Sequence, residues 1–372
     1  MTNKQRTMNN TGFDYPLFFV ILILLAIGLM FLYSASAAYA YRHQGDSYFY
    51  LKRQSIWLGL GLAFLWLASK FNYKNYKYLD RPLLFIVLVF LCLVFIPGIG
   101  GEAGGVHRSI GIGFIHFTPS EIAKLSVVVY LACSLVRKKE KIESYISGSL
   151  PYFIILGGIS VLVVIEPDLG TALIIAIIAF ILLYAGGARL SHLIYTAFLA
   201  LVPLYFSIFK IGYRMDRIIG WLNPEQDPLK AGYQPIHLKR ALGSGGLWGL
   251  GSGQGIEKLF YLPTPHTDSI FAVIGEELGF IGTSLILALF FFIVLRGLRI
   301  ARRAPDDLGK LLAVGLTSLI GLQAILNMGV ATVVLPTTGA TLPFISYGGS
   351  SLLICLTSIG ILLNISKNSP LK

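Results

Sequence analysis

Several ionisable residues of this sequence lie at the ends of apolar runs, where they could do chemistry. Glu121 and Lys124 are three residues apart at the predicted start of a helix, which places them on one face. Glu166 and Asp168 flank a proline between two apolar runs, and paired carboxylates can exchange protons or bind a metal. Asp268 ends a long polar segment. The alternatives are an ion pair that only neutralises two charges, and an N-cap role for Asp168.

Basic residues and glycines accompany these acids. The segment 98–121 contains several glycines and Arg108, and a glycine run covers 243–255. No strand precedes that run, so a nucleotide loop is excluded; its glycines fit a backbone that approaches a bulky ligand or forms a re-entrant loop. The basic residues in or beside the segment 211–268 are Lys210, Arg214, Arg217, Lys230, Lys239, Arg240 and Lys258. They indicate an anionic ligand, unless this long loop is simply exempt from the usual charge bias.

The composition shows which solvent this chain needs. Hydrophobic residues make up 55% of the 372 residues and charged residues only 13%, about half the charged share of a soluble protein. A water-soluble fold could not bury so many apolar side chains, so lipid is the expected solvent. The net charge of +12 therefore concerns the two sides of a membrane, and we expect no nucleic acid partner. The three cysteines lie in apolar runs and are expected to be small core or lipid-facing residues.

Apolar runs near the length that crosses about 30 Å of hydrocarbon predict about ten transmembrane helices. The runs are 15–36, 54–69, 82–97, 119–136, 150–166, 169–186, 190–210, 269–296, 309–334 and 345–365. The first is expected to be retained rather than cleaved as a signal peptide. The fold class is thus an all-α integral membrane protein with one long extracytoplasmic loop (211–268) and re-entrant outer segments. Residues 1–372 are expected to form a single polytopic domain.

The distribution of Lys and Arg predicts the orientation. With the N-terminus in the cytoplasm, most basic residues outside 211–268 fall on the cytoplasmic side. The short outer loops hold only Arg42, Lys52, Arg53 and Arg108. Both termini are therefore expected in the cytoplasm, and the unusual polar segments are expected outside. This arrangement suits an anionic head group that is attached to a lipid tail.

The segment 336–351 is the most specific feature of the chain. It is too polar, and too broken by proline and glycine, for a lipid-facing helix, so it must be buried in protein or line a cavity. Its stretch Leu342-Pro343-Phe344-Ile345-Ser346-Tyr347-Gly348-Gly349-Ser350-Ser351 resembles the signature of the SEDS family, whose branches are FtsW, RodA and SpoVE. Blocks that agree in order include Tyr33-Ser34-Ala35-Ser36, Pro119-Ser120-Glu121-Ile122-Ala123-Lys124, Glu166-Pro167-Asp168-Leu169-Gly170-Thr171 and His266-Thr267-Asp268. Within the family, the blocks around 260–263 and 336–345 are more similar to the FtsW branch than to RodA.

The resemblance implies a peptidoglycan glycosyltransferase in the bacterial cytoplasmic membrane. Such an enzyme polymerises lipid II into glycan strands outside the membrane during cell division and releases undecaprenyl pyrophosphate. It also implies a class B penicillin-binding protein as partner, together with other division proteins and membrane lipid. The alternatives are a lipid II flippase, a RodA-like polymerase of cell elongation, and a scaffold without chemistry. The crowding of unusual residues on the outer face favours the enzyme.

The resemblance also assigns roles to residues. Asp268 is expected to be the catalytic general base; the alternative is an N-cap of the helix that follows it. Further residues are expected to bind substrate, the first four along a path for diphosphate: Arg108, Lys124, Arg214, Arg217, Glu121, His266, Ser346 and Tyr347. Arg214 and Arg217 could instead pair with Asp216 or with lipid phosphates. No cofactor is assigned; a divalent cation, Mg or Mn, and its ligands stay open.

Three positions depart from the family pattern. Arg108 is followed by Ser109 where the family has Trp, and His237-Leu238 stands where Gln-Ser is usual. Thr264 replaces the usual Glu of the Leu-Pro-Glu block. These departures concern the donor and acceptor binding sites and leave Asp268 in place.

Overall fold

A computed structural model describes residues 12–96, 100–103, 106–112, 115–209 and 212–369. The side chains of 100–108, 112, 115, 116 and 213 lie outside that description. The helices and strands, in chain order, are α1 (Tyr15–Gln44), α2 (Phe49–Lys70), α3 (Tyr76–Leu93), β1 (Gly100–Ala103), β2 (Val106–Ile112), β3 (Ile115–Phe117), α4 (Pro119–Arg137), α5 (Leu150–Ile165), α6 (Leu169–Ala185), α7 (Leu190–Phe209), α8 (Gly212–Leu222), α9 (Tyr233–Gly245), α10 (Ile270–Arg303), α11 (Asp307–Ala331) and α12 (Gly349–Lys367).

Ten of these helices, α1 to α7 and α10 to α12, coincide in order with the ten predicted spans. Within the described residues, seven helices are long and apolar enough to cross a membrane, and α6 is a shorter apolar helix. The prediction of a helical, multi-pass membrane protein is therefore confirmed. The second span begins earlier than predicted, at Phe49, because the polar residues near its start are helical too.

The helices divide into a buried centre and an apolar rim. Side chains of α4, α11 and α12 are mostly buried, whereas those of α7 are almost all exposed. Small residues allow the close packing of the central helices: a Cβ on Gly360 of α12 would come within 2.4 Å of the Leu65 carbonyl oxygen of α2. The exposed rim residues, such as Phe198 and Leu199, are apolar. Lipid is the solvent that suits them.

A small antiparallel sheet interrupts the helical pattern before α4. Strand β2 is central, and its Ile110 pairs with Gly100 of β1 and with Phe117 of β3. The sequence predicted only a polar outer segment for this stretch, so the sheet is an addition to the predicted fold. Its outer strands are only four and three residues long. Runs this short carry too little periodicity to be recognised.

The long segment 211–268 is more regular than a loop. It contains the helices α8 and α9, followed by a stretch of turns over 246–269, named here the Asp268 loop. This loop packs against α10, whose backbone leaves the helical conformation at Gly279 (φ 66°, ψ −163°). Because the kink frees backbone groups, the loop bonds to them: Leu250 N donates to the Glu276 carbonyl at 3.0 Å, and Phe280 N donates to the Gly246 carbonyl at 2.9 Å.

Glycines make this close contact sterically feasible. Gly249 has a φ of 81°, and a Cβ there would lie 2.1 Å from the Glu277 carbonyl oxygen. A Cβ on Gly245 would likewise lie 2.0 Å from the Gly275 carbonyl oxygen. The glycine run therefore folds back against a kinked span, and these contacts are with the protein's own backbone.

Ion pairs lie at the opposite end of the bundle from the Asp268 loop. Arg137 of α4 forms a bidentate pair with Asp80 of α3, and Lys139 bonds to Asp307 at 2.8 Å. Tyr73, which precedes α3, donates its hydroxyl to Asp306 at 2.9 Å. These contacts tie the helix ends together away from the candidate site.

Candidate active site

Asp268 is held at the end of its loop by hydroxyl groups. Thr264 Oγ1 and Thr267 Oγ1 donate to Asp268 Oδ1 at 2.8 Å and 2.9 Å. The other carboxylate oxygen, Oδ2, is 3.5 Å from Gln234 Nε2 of α9, its only hydrogen-bond partner within the described chain. The carboxylate is half-buried. One oxygen is therefore anchored while the other remains able to accept a proton.

The N-cap alternative for Asp268 does not agree with the geometry. The N-cap residue of α10 is Ser269, and no side chain caps that helix end. Both oxygens of Asp268 bond to side chains instead. The Asp268 carbonyl accepts from Asn327 Nδ2 at 3.0 Å, so the backbone is fixed independently of the carboxylate.

His266 lies beside Asp268 among aromatic rings. Its ring is buried against Tyr50, with centroids 4.3 Å apart, and is 5.3 Å from Tyr39 and 5.8 Å from Tyr347. Burial lowers the pKa of His266 to about 4, and the nearby Asp268 charge opposes this only in part. The imidazole is consequently neutral near pH 7 and shapes a wall rather than providing a charge.

The non-helical segment 332–348, which contains most of the predicted segment 336–351, lies against the Asp268 loop. It is buried at its centre, as the sequence predicted. Tyr347 N donates to the His266 carbonyl at 2.8 Å, and Ser346 Oγ donates to the Thr267 carbonyl at 2.6 Å. Gln54 of α2 donates to the Ser346 carbonyl at 3.2 Å. Ser346 and Tyr347 thus bind the two residues that precede Asp268.

Two polar residues inside α11 support both segments, and the sequence analysis missed them. Asn327 donates to the carbonyls of Asp268 and Ala340, and Gln323 donates to Thr341 and to Ser351 Oγ at 2.8 Å. Their i,i+4 spacing puts them on one helix face. That spacing, together with their position inside an apolar run, was the available signal, since buried polar residues in a span need partners.

Glu121 and Lys124 form the ion pair that their spacing predicted. Lys124 Nζ lies 2.8 Å from Glu121 Oε2 and donates to Gln323 Oε1 at 2.8 Å. Lys124 is only 1% exposed. The pair therefore extends the α11 network under the segment 332–348, which is consistent with a structural ion pair as well as with a wall of a polar cavity.

The predicted basic residues are placed differently from one another. Arg214 is buried, and its guanidinium donates to the Val164 carbonyl at 2.7 Å and to the Ser207 carbonyl at 3.1 Å. Arg217 is exposed and donates to the Thr337 carbonyl at 3.3 Å. Arg108 lies on β2, and its side chain lies outside the described part of the chain. Carbonyl binding favours an anchoring role for Arg214, whereas Arg217 borders the segment 332–348.

Glu166 and Asp168 take separate roles. Asp168 is the N-cap of α6 and accepts from Thr171 N at 2.9 Å, as the capping alternative predicted. Glu166 is buried at the end of α5. The two carboxylates are therefore not equivalent partners of a single acid/base pair.

A buried ion pair fastens the Asp268 loop to α10. Lys258 Nζ lies 2.5 Å from Glu277 Oε1 and also donates to Ser34 Oγ of α1 and to the Gly253 carbonyl, at 2.8 Å and 2.9 Å. Glu276 accepts from Ile256 N and from the next backbone N–H. The adjacent acids inside an apolar run were a signal that the sequence analysis did not use.

A divalent cation would need several ligand side chains close together. Within the described residues, no group of three or more His, Cys, Asp or Glu side chains is arranged to hold a metal ion. No described residue is therefore assigned to Mg or Mn.

Comparisons with known proteins agree along almost the whole chain. The family model described as a cell cycle protein, which covers FtsW, RodA and SpoVE, matches residues 15–370. A probable peptidoglycan glycosyltransferase FtsW of Geobacter sulfurreducens is 44% identical over 321 residues, 86% of each chain. The stage V sporulation protein E of Bacillus subtilis is 40% identical and covers 98% of this chain and 99% of its own.

Solved structures share the fold. One belongs to a peptidoglycan synthase complex that coordinates polymerization and crosslinking; it has a TM-score of 0.77, 29% identity, and coverage of 97% of this chain and 99% of its own. Another is the rod shape determining protein RodA of Thermus thermophilus, with a TM-score of 0.69, 26% identity, and coverage of 98% and 100%.

Proposed function

The chain belongs to the FtsW/RodA/SpoVE family, and from this premise we propose that Asp268 is the catalytic base of a peptidoglycan glycosyltransferase. The enzyme class follows from relatives that carry this activity in their names at 44% identity. Their FtsW designation favours a role in cell division over elongation. The observation that supports the site is the unequal binding of the Asp268 carboxylate: Oδ1 accepts two hydroxyls, and Oδ2 has only one long contact.

The reaction joins two lipid-linked sugars. The 4-hydroxyl oxygen of one lipid II attacks the anomeric carbon of another, the new C–O bond forms, and the bond from that carbon to the pyrophosphate oxygen breaks. Asp268 Oδ2 takes the hydroxyl proton, and the leaving pyrophosphate carries the bonding electron pair. A positioned base of this kind typically contributes about 10²–10⁴-fold to the rate. The hydroxyls of Thr264 and Thr267 hold the carboxylate in one orientation through Oδ1.

The binding roles rest on the family resemblance and on the charge of the side chains. We place Arg108, Lys124 and Arg217 along the diphosphate path, because guanidinium and ammonium groups bind phosphate oxygens. Glu121 neutralises Lys124, whereas Arg214 anchors α8 to α5 and α7 through carbonyls.

The remaining predicted residues form a wall of the acceptor site. His266, Ser346 and Tyr347 combine a neutral ring, a hydroxyl and an aromatic face beside Asp268.

The substitution Arg217→Ala should weaken the use of lipid II more than it lowers the yield of folded protein. Unchanged kinetics in the Arg217, Arg108 and Lys124 variants would remove the diphosphate path.

The orientation is also a proposal. The charge asymmetry supports cytoplasmic termini and an extracytoplasmic segment 211–268. Residues 1–372 are proposed to form a single polytopic domain. A cysteine introduced near Gly255 should react with a membrane-impermeant thiol reagent in intact cells, and one near Arg302 should not. The reverse labelling pattern would place the site in the cytoplasm.

A class B penicillin-binding protein is the proposed partner, since a structural relative of this chain is part of a peptidoglycan synthase complex. The direct test of function is a polymerisation assay with purified protein and lipid II, with and without that partner. Glycan strands should appear and undecaprenyl pyrophosphate should be released. Transfer of lipid II across vesicle membranes without any polymer would instead support the flippase alternative.

A further inference from the structure

A concave pocket lies at the end of the bundle opposite Asp268. It has a volume of about 110 Å³ and lies between the start of α1 and the ends of α10 and α12. Three arginines of α10 line it, Arg296, Arg299 and Arg303. Arg299 and Arg303 follow Arg296 by three and seven residues, which places all three on one face of the helix.

Only one of these three charges is neutralised. Arg296 forms a bidentate pair with Asp14, whose oxygens lie 2.8 Å from Nη2, and Asp14 also caps α1 through Leu17 N. Arg299 and Arg303 make no ion pair or hydrogen bond within the described chain. Among the residues that the structure describes, the pocket therefore carries two positive charges without a counter-charge.

Nearby acids do not supply the missing partners. Asp306 accepts from Tyr73 and from Gly309 N, and Asp307 pairs with Lys139. The hydroxyls of Ser366 and Ser369 donate to backbone carbonyls. The guanidinium groups are thus the free donors of the pocket, and they point to an anion with several acceptor oxygens.

The position of the pocket points to a lipid. Just before Arg299, α10 exposes Leu295 and Leu298, which are 49% and 37% exposed. A phosphate bound by Arg299 and Arg303 would therefore have an apolar surface beside it, along which acyl chains can lie. Basic pockets between transmembrane helices bind anionic head groups in this way. We propose that this pocket binds the phosphate of an anionic phospholipid, independently of the reaction at Asp268.

The experiment compares lipids and charges at constant detergent. Purified protein is titrated with phosphatidylglycerol, with phosphatidylcholine of the same acyl chains, and with inorganic phosphate, while the unfolding midpoint is followed. Since a ligand that binds only the folded state raises stability by mass action, phosphatidylglycerol alone should raise the midpoint. The double variant R299Q/R303Q should weaken that response about tenfold or more in apparent affinity, through the loss of two charge-assisted contacts.

A matched control removes the same charge elsewhere. Arg302 and Lys310 are exposed at the same end of the bundle and do not line the pocket. R302Q/K310Q should retain the full response to phosphatidylglycerol. An equal loss of the phosphatidylglycerol response in this control would mean that the effect comes from general surface charge. An equal rise of the midpoint with inorganic phosphate would mean that the pocket binds a free anion rather than a lipid. Either result, or no response to any of the three, overturns the proposal.

Discussion

Replacing Lys258 by Met tests whether the buried ion pair holds the Asp268 loop against α10. The side chains of Lys258 and Glu277 are 6% and 0% exposed, and Lys258 fills its three donor positions with Glu277, Ser34 and the Gly253 carbonyl. The substitution leaves the Glu277 carboxylate buried without its counter-charge. Removing one partner of such a pair costs about 3–5 kcal/mol. We expect a loss of that size in the free energy of unfolding.

The assay is a double-mutant cycle with Glu277→Gln, followed by denaturant titration in mixed micelles. Each single variant leaves one buried group unpaired, whereas the double variant leaves two neutral side chains. The double variant should therefore be more stable than the sum of the single losses predicts, by roughly 1–3 kcal/mol. An exposed pair gives the control: Lys52 and Asp46 are 68% and 38% exposed, and Asp46→Asn should produce no measurable change.

The result that refutes this reasoning is also specific. A Lys258→Met variant as stable as the parent, or a cycle without coupling, would mean that water solvates the pair and that the loop is held by other contacts. Polymerisation by the single variants should fall as well, since the loop carries the carboxylate that we propose as the base. Full activity in a destabilised variant would separate the ion pair from the site.

Three further expectations concern the same loop. Thr264→Val removes one hydroxyl donor from Asp268 and should lower kcat about fivefold. A hydrogen bond to a charged group is worth roughly 1.5–3 kcal/mol, and this bond lies near the lower end because it is exposed. Thr264→Ser should restore the rate, and a fully active Thr264→Val variant would contradict the role of the hydroxyl. His266 binds a proton below about pH 6.5 in the unfolded chain but only near pH 4 in the folded chain. The free energy of unfolding should therefore fall by about 3 kcal/mol as the pH drops from 6.5 to 4. His266→Phe should flatten this pH dependence, and an unchanged slope in that variant would contradict the role of His266. Gly249→Ala forces a Cβ against α10 at a positive φ and should lower the free energy of unfolding by about 3 kcal/mol or more. A Cβ at Gly243 meets open space, so Gly243→Ala should be neutral or stabilising. Equal effects of the two substitutions in unfolding titrations would contradict the close packing at Gly249.

Apolar run length was sufficient to predict the spans, because crossing a membrane requires it of every helix. Partners were harder to predict. Arg214 was predicted to line the diphosphate path because a charge count registers only its sign; in the structure its guanidinium binds the carbonyls of Val164 and Ser207. Gln323 and Asn327 were missed because most of their hydrogen-bond partners lie in or just after the segment 332–348, which comes close to them only in the folded chain.

The site shows the same division between local and tertiary signals. The position of Asp268 before a span and within His266-Thr267-Asp268 was readable in the sequence. Its two hydroxyl partners were not, since one of them, Thr264, departs from the family pattern. The kink at Gly279 and the glycine contacts across it also need the folded chain, because a glycine in an apolar run is compatible with a straight helix.

The measurement that tests the central claim most directly is the polymerisation of lipid II by the Asp268→Asn variant. The amide oxygen of Asn can still accept from Thr264 and Thr267, so the variant should fold, keep its unfolding midpoint and bind its partner. It lacks the base, and the rate of glycan formation should fall by about 10²–10⁴-fold. A folded Asp268→Asn protein that polymerises lipid II at a near wild-type rate would contradict the account and direct the search for the base to Glu121, Glu166 and Asp168.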